Sequence, residues 1–205
     1  MIQVLHLAPV CKSVQTLFTK IEQNRGKIIE PVRAEYIMEA LGVLVPCPNP
    51  PYKIGIQRKE SGELRNMAGS LKRFPDRAEI NYSDVYNRCW RRYIYFKEMA
   101  HLLIDTSDCH FTSDPIFLVQ QLINGVDLFQ DERLKSENLA YLTSIEMLLP
   151  WTLRDKMHAM AAAGKSELDI ATTFLAPRKV VNLVMSEPYK ELSNQANLVA
   201  ATLNS

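Results

Sequence analysis

The stretch Tyr93–Asp105, YIYFKEMAHLLID, constrains this chain more than any other. It reads as part of one helix. On a helix Lys97 and His101, four residues apart, share a face, and Glu98 stands one step round from Lys97. A buried carboxylate needs a partner, and Lys97 is placed to neutralise Glu98 without help from a metal. Ser83 or Asp84 suits the N-cap of this helix, which is expected to run to about Ile104. Trp90, Ile94 and Met99 alternate there with Arg88, Arg91 and Arg92, so the helix should have a buried and a solvated side.

The rest of the chain alternates between helical and strand-like patterns. Met1–Pro9 is apolar and is expected to be a short strand or an extended arm. Val10, Val14, Leu17, Phe18 and Ile21 then recur at helical spacing as far as Gly26. A second helix fits Pro31–Leu41 with Gly42 as its C-cap. Val43–Val45 is a short β-branched run, and Pro46, Pro48, Pro50 and Pro51 make a stiff, extended segment after it. Tyr52–Ile56, Met67–Phe74 and Arg77–Tyr82 read as strands, with turns at Glu60-Ser61-Gly62-Glu63 and Pro75-Asp76. Thr106–Pro115 reads as a polar loop carrying Cys109 and His110. Ile116–Phe129 and Ser136–Leu149 read as helices on either side of the charged interruption Asp131–Lys135, and Pro150 stops the second. Short helices are expected at Leu153–Ala163, Glu167–Leu175 and Arg178–Ser186. From Pro188 the sequence is polar and rich in small residues and reads as a tail.

Composition narrows the possibilities. Of the 205 residues 47% are hydrophobic and 23% charged, ordinary globular proportions, so wholesale disorder is not expected. A net charge of +1 gives no global reason for nucleic-acid binding. The four cysteines, Cys11, Cys47, Cys89 and Cys109, form no CxxC pair. That spacing argues against a thiolate zinc site. No signal peptide is read at the N-terminus, and no run approaches the roughly 18 apolar residues that span a bilayer. The expectation is a cytoplasmic protein with reduced thiols and no membrane partner.

The functional motif lies in Lys97-Glu98-Met99-Ala100-His101. Zinc peptidases place H-E-x-x-H on such a helix, two imidazoles holding the metal and the glutamate acting as general base. Here the first histidine position carries a lysine, which offers a charge where metal binding needs a lone pair. The hairpin with Gly69, the return strand ending Ile80-Asn81-Tyr82, and Arg91-Arg92-Tyr93 precede the motif. Leu102 and Leu103 come directly after it, and Leu139-Ala140 with Glu146-Met147-Leu148-Leu149-Pro150 come later. Over roughly Val32 to Glu187 this series resembles the ImmA/IrrE-type zinc metallopeptidase family, in which RRFTLAHELGHLLLH is followed by EANRFAAELLMP. The resemblance implies that Glu98 stands at the general-base position and His101 at the one surviving metal ligand. It puts Lys97 and Leu139 at the other two ligand positions. Glu137, two residues from Leu139, would be rotated by about 200° and face away. Rescue of a zinc site by Cys109 and His110 is the alternative.

The fold expected is α+β: a small twisted antiparallel sheet packed on helices, a zincin-like core by resemblance. Residues 1–150 form that metallopeptidase-like part, 151–187 a helical, helix-turn-helix-like subdomain, and 188–205 the polar tail. The functional expectation is a protein that has lost zinc and hydrolytic activity, needs no cofactor, and binds a protein or peptide. Family analogy suggests a transcriptional repressor of a phage or mobile element as the partner. Strand addition at a sheet edge is the expected binding mode, with Lys97, Arg91 and Arg92 as candidate binding residues. Two alternatives remain open: an active zinc endopeptidase with unconventional ligands, and a DNA-binding regulator using Arg178 and Lys179.

Overall fold

The computed structural model describes residues 3–27, 30–60, 63–64, 67–104, 109–112, 114–124 and 132–203, with the main chain alone of 109–112, 122 and 132–135. In order, the elements are α1 (Val4–Arg25), α2 (Ala34–Leu44), β1 (Lys53–Lys59), β2 (Gly69–Arg73), β3 (Arg77–Ser83), α3 (Arg88–Ile104), β4 (Cys109–Thr112), α4 (Pro115–Ile123), α5 (Glu132–Leu148), α6 (Trp151–Ala162), α7 (Glu167–Phe174), α8 (Arg178–Met185) and α9 (Glu187–Thr202). The chain is α+β. No helix among the described residues is long and apolar enough to cross a membrane.

Within the stretch read as an extended arm, Val4–Pro9 is instead the start of α1. Pro9 lies inside that helix, where its missing N–H affects only an early turn, and the apolar face Leu7, Ala8, Val10, Cys11, Val14 runs through it unbroken. The β-branched run Val43–Val45 does not form a strand, because α2 extends to Leu44 and takes its first two residues. Gly42 is therefore not a C-cap. Its main chain meets the next segment: Tyr52 donates to the Gly42 carbonyl at 2.8 Å. A Cβ on Gly42 would lie 2.9 Å from the Tyr52 carbonyl oxygen.

The sheet has the order β1-β3-β2-β4, with β2 antiparallel to both β3 and β4 and β1 parallel to β3. It is mixed, not antiparallel as expected. The tight turn at Pro75-Asp76 folds β3 back on β2, and Phe74 donates across it to the Arg77 carbonyl at 2.7 Å. β1 then joins the far side of β3. Ala78 and Ile80 of β3 are buried, whereas β1 exposes Lys53, Gly55, Gln57 and Arg58 and carries the charged character of an edge. The Tyr52 hydroxyl reaches the Arg77 carbonyl at 2.6 Å and fixes the start of β1 against that turn. β4 falls where a loop was expected.

α3 starts later than Ser83 or Asp84 predicts. Asn87 caps it, its Oδ1 accepting from the main chain of Cys89 at 3.0 Å and Trp90 at 3.1 Å. Farther on, Ser166 and Asp169 form a capping box at α7, and Leu175 ends that helix in the left-handed region at φ 49°. The stretch read as a polar tail carries α9, which Ser186 caps by accepting from the Tyr189 main chain. Tyr189, Ser193, Ala196 and Ala200 are the buried positions of α9, spaced to face α1. Lys12 of α1 donates to the Leu203 carbonyl at 2.7 Å, and Gln15 to Asn197 at 2.8 Å, so the two helices run antiparallel. One apolar core extends from Leu7 through Ile80, Phe96, Leu142 and Val184 to Ala200.

Candidate functional site

The site forms where α3 crosses α5. Tyr93, Lys97 and His101 recur every fourth residue along one face of α3. Facing them on α5 are Ser144, Tyr141 and Glu137, at intervals of three and four. The Tyr93 and Tyr141 rings stack at 6.3 Å between centroids. Lys97 Nζ lies 5.6 Å from the Tyr141 ring centroid, a cation–π distance. One turn on, Lys97 Nζ sits 2.6 Å from Glu137 Oε2, and His101 Nε2 sits 3.2 Å from Glu137 Oε1. The pairing of 93 with 141 and of 101 with 137 makes the two helices antiparallel.

Glu98 completes the cluster from the sheet side. Its Oε1 lies 3.6 Å from Lys97 Nζ. β2 comes close to it at Gly69, where a Cβ would sit 3.1 Å from Glu98 Oε1 and 2.5 Å from Ile94 Cγ2. A side chain at 69 would therefore force the strand or the Ile94 side chain to shift. Arg73, farther along β2, donates to the His101 carbonyl at 3.1 Å. Lys97, Glu98 and His101 have no exposed surface at all, whereas the Glu137 side chain keeps 25% of its own. The cleft is filled by its own ionic side chains, and one carboxylate reaches the surface.

The predicted residues fall into two groups. Lys97, Glu98 and His101 come together as their spacing requires. The third partner is Glu137, not Leu139. The two are about 200° apart on α5, so a helix that turns Glu137 toward Lys97 turns Leu139 away, and Leu139 packs against the apolar core. Anchoring α5 on Leu148-Leu149-Pro150 assumed that the Leu139 face meets α3. Glu137 lies one and two turns from Tyr141 and Ser144, the α5 residues that meet Tyr93 and Lys97.

Arg92, one of the candidate binding residues, does not stand on the surface. It is buried, donates through Nη2 to the Val32 carbonyl, and lies over the Phe96 ring at 4.7 Å. Burial lowers its pKa below the ordinary guanidinium value. Arg91 is half-buried. The Cys109 and His110 side chains lie outside the described residues. On α8, Arg178 pairs with Glu167 at 3.7 Å and Lys179 donates to Gln120 at 2.9 Å. Val180, Val181, Leu183 and Val184 of that helix are buried, which leaves a narrow exposed face.

Among the described residues no three His, Cys, Asp or Glu side chains converge as a metal-binding group. His101 and Glu137 meet, but the ammonium of Lys97 occupies the space beside both carboxylates. A cation is already covalently in place, and these residues do not fit a zinc ion as they stand. What the arrangement does chemically is hold charge: one ammonium lies between two carboxylates, one buried and one partly solvated, where the two helices cross. No family model matches the chain, and no curated protein matches it.

Proposed function

We propose that the chain is a metallopeptidase-like protein whose zinc centre has been replaced by a built-in cation, and that it acts as a protein- or peptide-binding regulator rather than a hydrolase. The observation that carries this reading is the Lys97 ammonium, fully buried at 2.6 Å from Glu137 and 3.6 Å from Glu98. Hydrolysis by this class of site needs a Lewis-acidic metal and a glutamate free to take a proton from water. Here Glu98 is ion-paired with Lys97 instead, in a site filled by its own side chains. The zincin-like core, the helix-turn-helix-like subdomain and the repressor-type partner belong to the same proposal and rest on the resemblance to ImmA/IrrE-type proteins.

The position of Glu137 makes the test simpler than the sequence suggested. Lys97→His places a second imidazole one turn from His101 with the Glu137 carboxylate already in reach. After dialysis against zinc, the wild type should retain no metal and Lys97→His about one ion per chain, with Leu139→Glu adding nothing. Stoichiometric zinc on the wild type, together with peptide cleavage lost in Glu98→Gln, would overturn the reading in favour of an active peptidase.

A further inference from the structure

A second polar site lies away from the Lys97 cluster, where α1, the end of α5, the start of α6 and α9 meet. Its walls include Cys11, Gln15, Phe18, Glu22, Glu146 and Trp151, and they enclose about 140 Å³. An engineered cavity of about 150 Å³ holds a benzene molecule, so the pocket suits a ligand of roughly six heavy atoms. Its floor is a carboxylate. Glu146 is 2% exposed, and its Oε1 takes both the Arg154 guanidinium at 2.6 Å and the Tyr189 hydroxyl at 2.9 Å. No described residue donates to Oε2. At the rim stands the exposed carboxylate of Glu22, which has no cationic partner among the described residues. Gln15 donates its amide N–H to Asn197 at 2.8 Å, so its carbonyl remains as an acceptor. Trp151, 49% exposed, and the buried Phe18 supply aromatic wall.

The lining is thus rich in acceptors and aromatic surface. Arg154, the cation paired with Glu146, is already committed to Glu146, Ser193 and the Leu149 carbonyl. Two carboxylates against one guanidinium leave an excess negative charge, and aromatic faces favour a cation over a neutral ligand. We propose that this pocket binds a primary alkylammonium group, either a free amine or the side chain of a lysine presented by another polypeptide. Its stem would lie along Phe18 and Trp151 and its ammonium would sit between Glu22 and Glu146. The site does not depend on the reading of the Lys97 cluster.

The test uses the full chain carrying Trp90→Phe, so that Trp151 is the only fluorophore of its kind. Pentylammonium chloride is titrated at neutral pH, where the amine is charged, alongside pentanol and Nα-acetyl-lysine amide. The expected result is a saturable change in Trp151 emission with pentylammonium and none with pentanol. Glu22→Gln, at an exposed position, should weaken binding roughly tenfold or more without affecting the fold. Tighter binding of the lysine amide than of pentylammonium identifies a polypeptide lysine as the ligand; binding of pentylammonium alone identifies a free amine. Equal response to pentanol, no saturable response to either amine, or an unchanged affinity in Glu22→Gln would overturn the proposal.

Discussion

At the scale of single residues, the α3–α5 crossing depends on charge matching out of reach of solvent. Removing one member of a buried ionic group strands the others, which costs far more than the group contributes as a whole. Lys97→Ala is therefore expected to lower unfolding free energy by about 3–5 kcal/mol, read from urea denaturation. Replacing Lys97, Glu98 and Glu137 together by Met, Gln and Gln should restore most of that loss. Lys97→Met alone, which keeps the volume but strands the carboxylates, should be nearly as destabilised as Lys97→Ala; stability close to wild type would mean that Lys97 matters for volume, not charge. Gly69 is a second point of constraint, because a Cβ there would lie 2.5 Å from Ile94 Cγ2. Gly69→Ala should cost about 1–3 kcal/mol by overpacking, in the same assay. Cys11 offers a chemical readout. Burial, and secondarily the Glu146 carboxylate, push its thiol up to about 12. It should resist alkylation at pH 8 until the chain unfolds.

At the scale of elements, caps and end contacts decide what sequence pattern alone leaves ambiguous. The Ser166–Asp169 box holds the start of α7: the Ser166 hydroxyl and main-chain N–H both donate to Asp169, and these bonds lower its carboxyl pKa below the ordinary 3.8. A carboxyl whose folded pKa is depressed stabilises the helix above the unfolded value, and that contribution disappears as pH falls through the folded one. Amide-exchange protection at the start of α7, taken relative to the intrinsic rate at each pH, should therefore fall below about pH 4, and Ser166→Ala should remove that pH dependence. α9 is secured differently. Arg154 is buried and holds Glu146 and Ser193, while Tyr189 donates to the same Glu146 oxygen. Burial alone would lower the Arg154 pKa, but Glu146 outweighs it and holds the guanidinium above its ordinary value. Tyr189→Phe should cost about 1.5–3 kcal/mol for the lost bond to a charged acceptor, measured by thermal or urea unfolding.

At the scale of the whole molecule, α9 closes over α1, and these two helices share one apolar core with the rest of the described residues. Truncation after Ser186 should therefore unfold more than the C-terminal helices, and intrinsic fluorescence and far-ultraviolet circular dichroism of the intact chain should report one coincident transition. Two separated transitions would show that residues 151–203 fold on their own. Periodicity located α3, α5, α6, α7 and α8 to within a few residues, because an apolar stripe at helical spacing is a local property. Composition marked the chain as globular, the alternation of helical and strand-like patterns pointed to α+β, and the spacing of Lys97, Glu98 and His101 put them on one helix. The helical character of Pro9 and of α9 was hidden, since each depends on a face buried against a distant partner. Strand order was hidden too: a sequence shows that β1 can pair but not that β3 will come between it and β2. Glu137 was missed for the same reason. The sequence by itself determined which residues share a face of α3. Only the tertiary structure decided which face of α5 meets it, because the rotation of one helix against another is set by packing across the whole core and not by either helix alone.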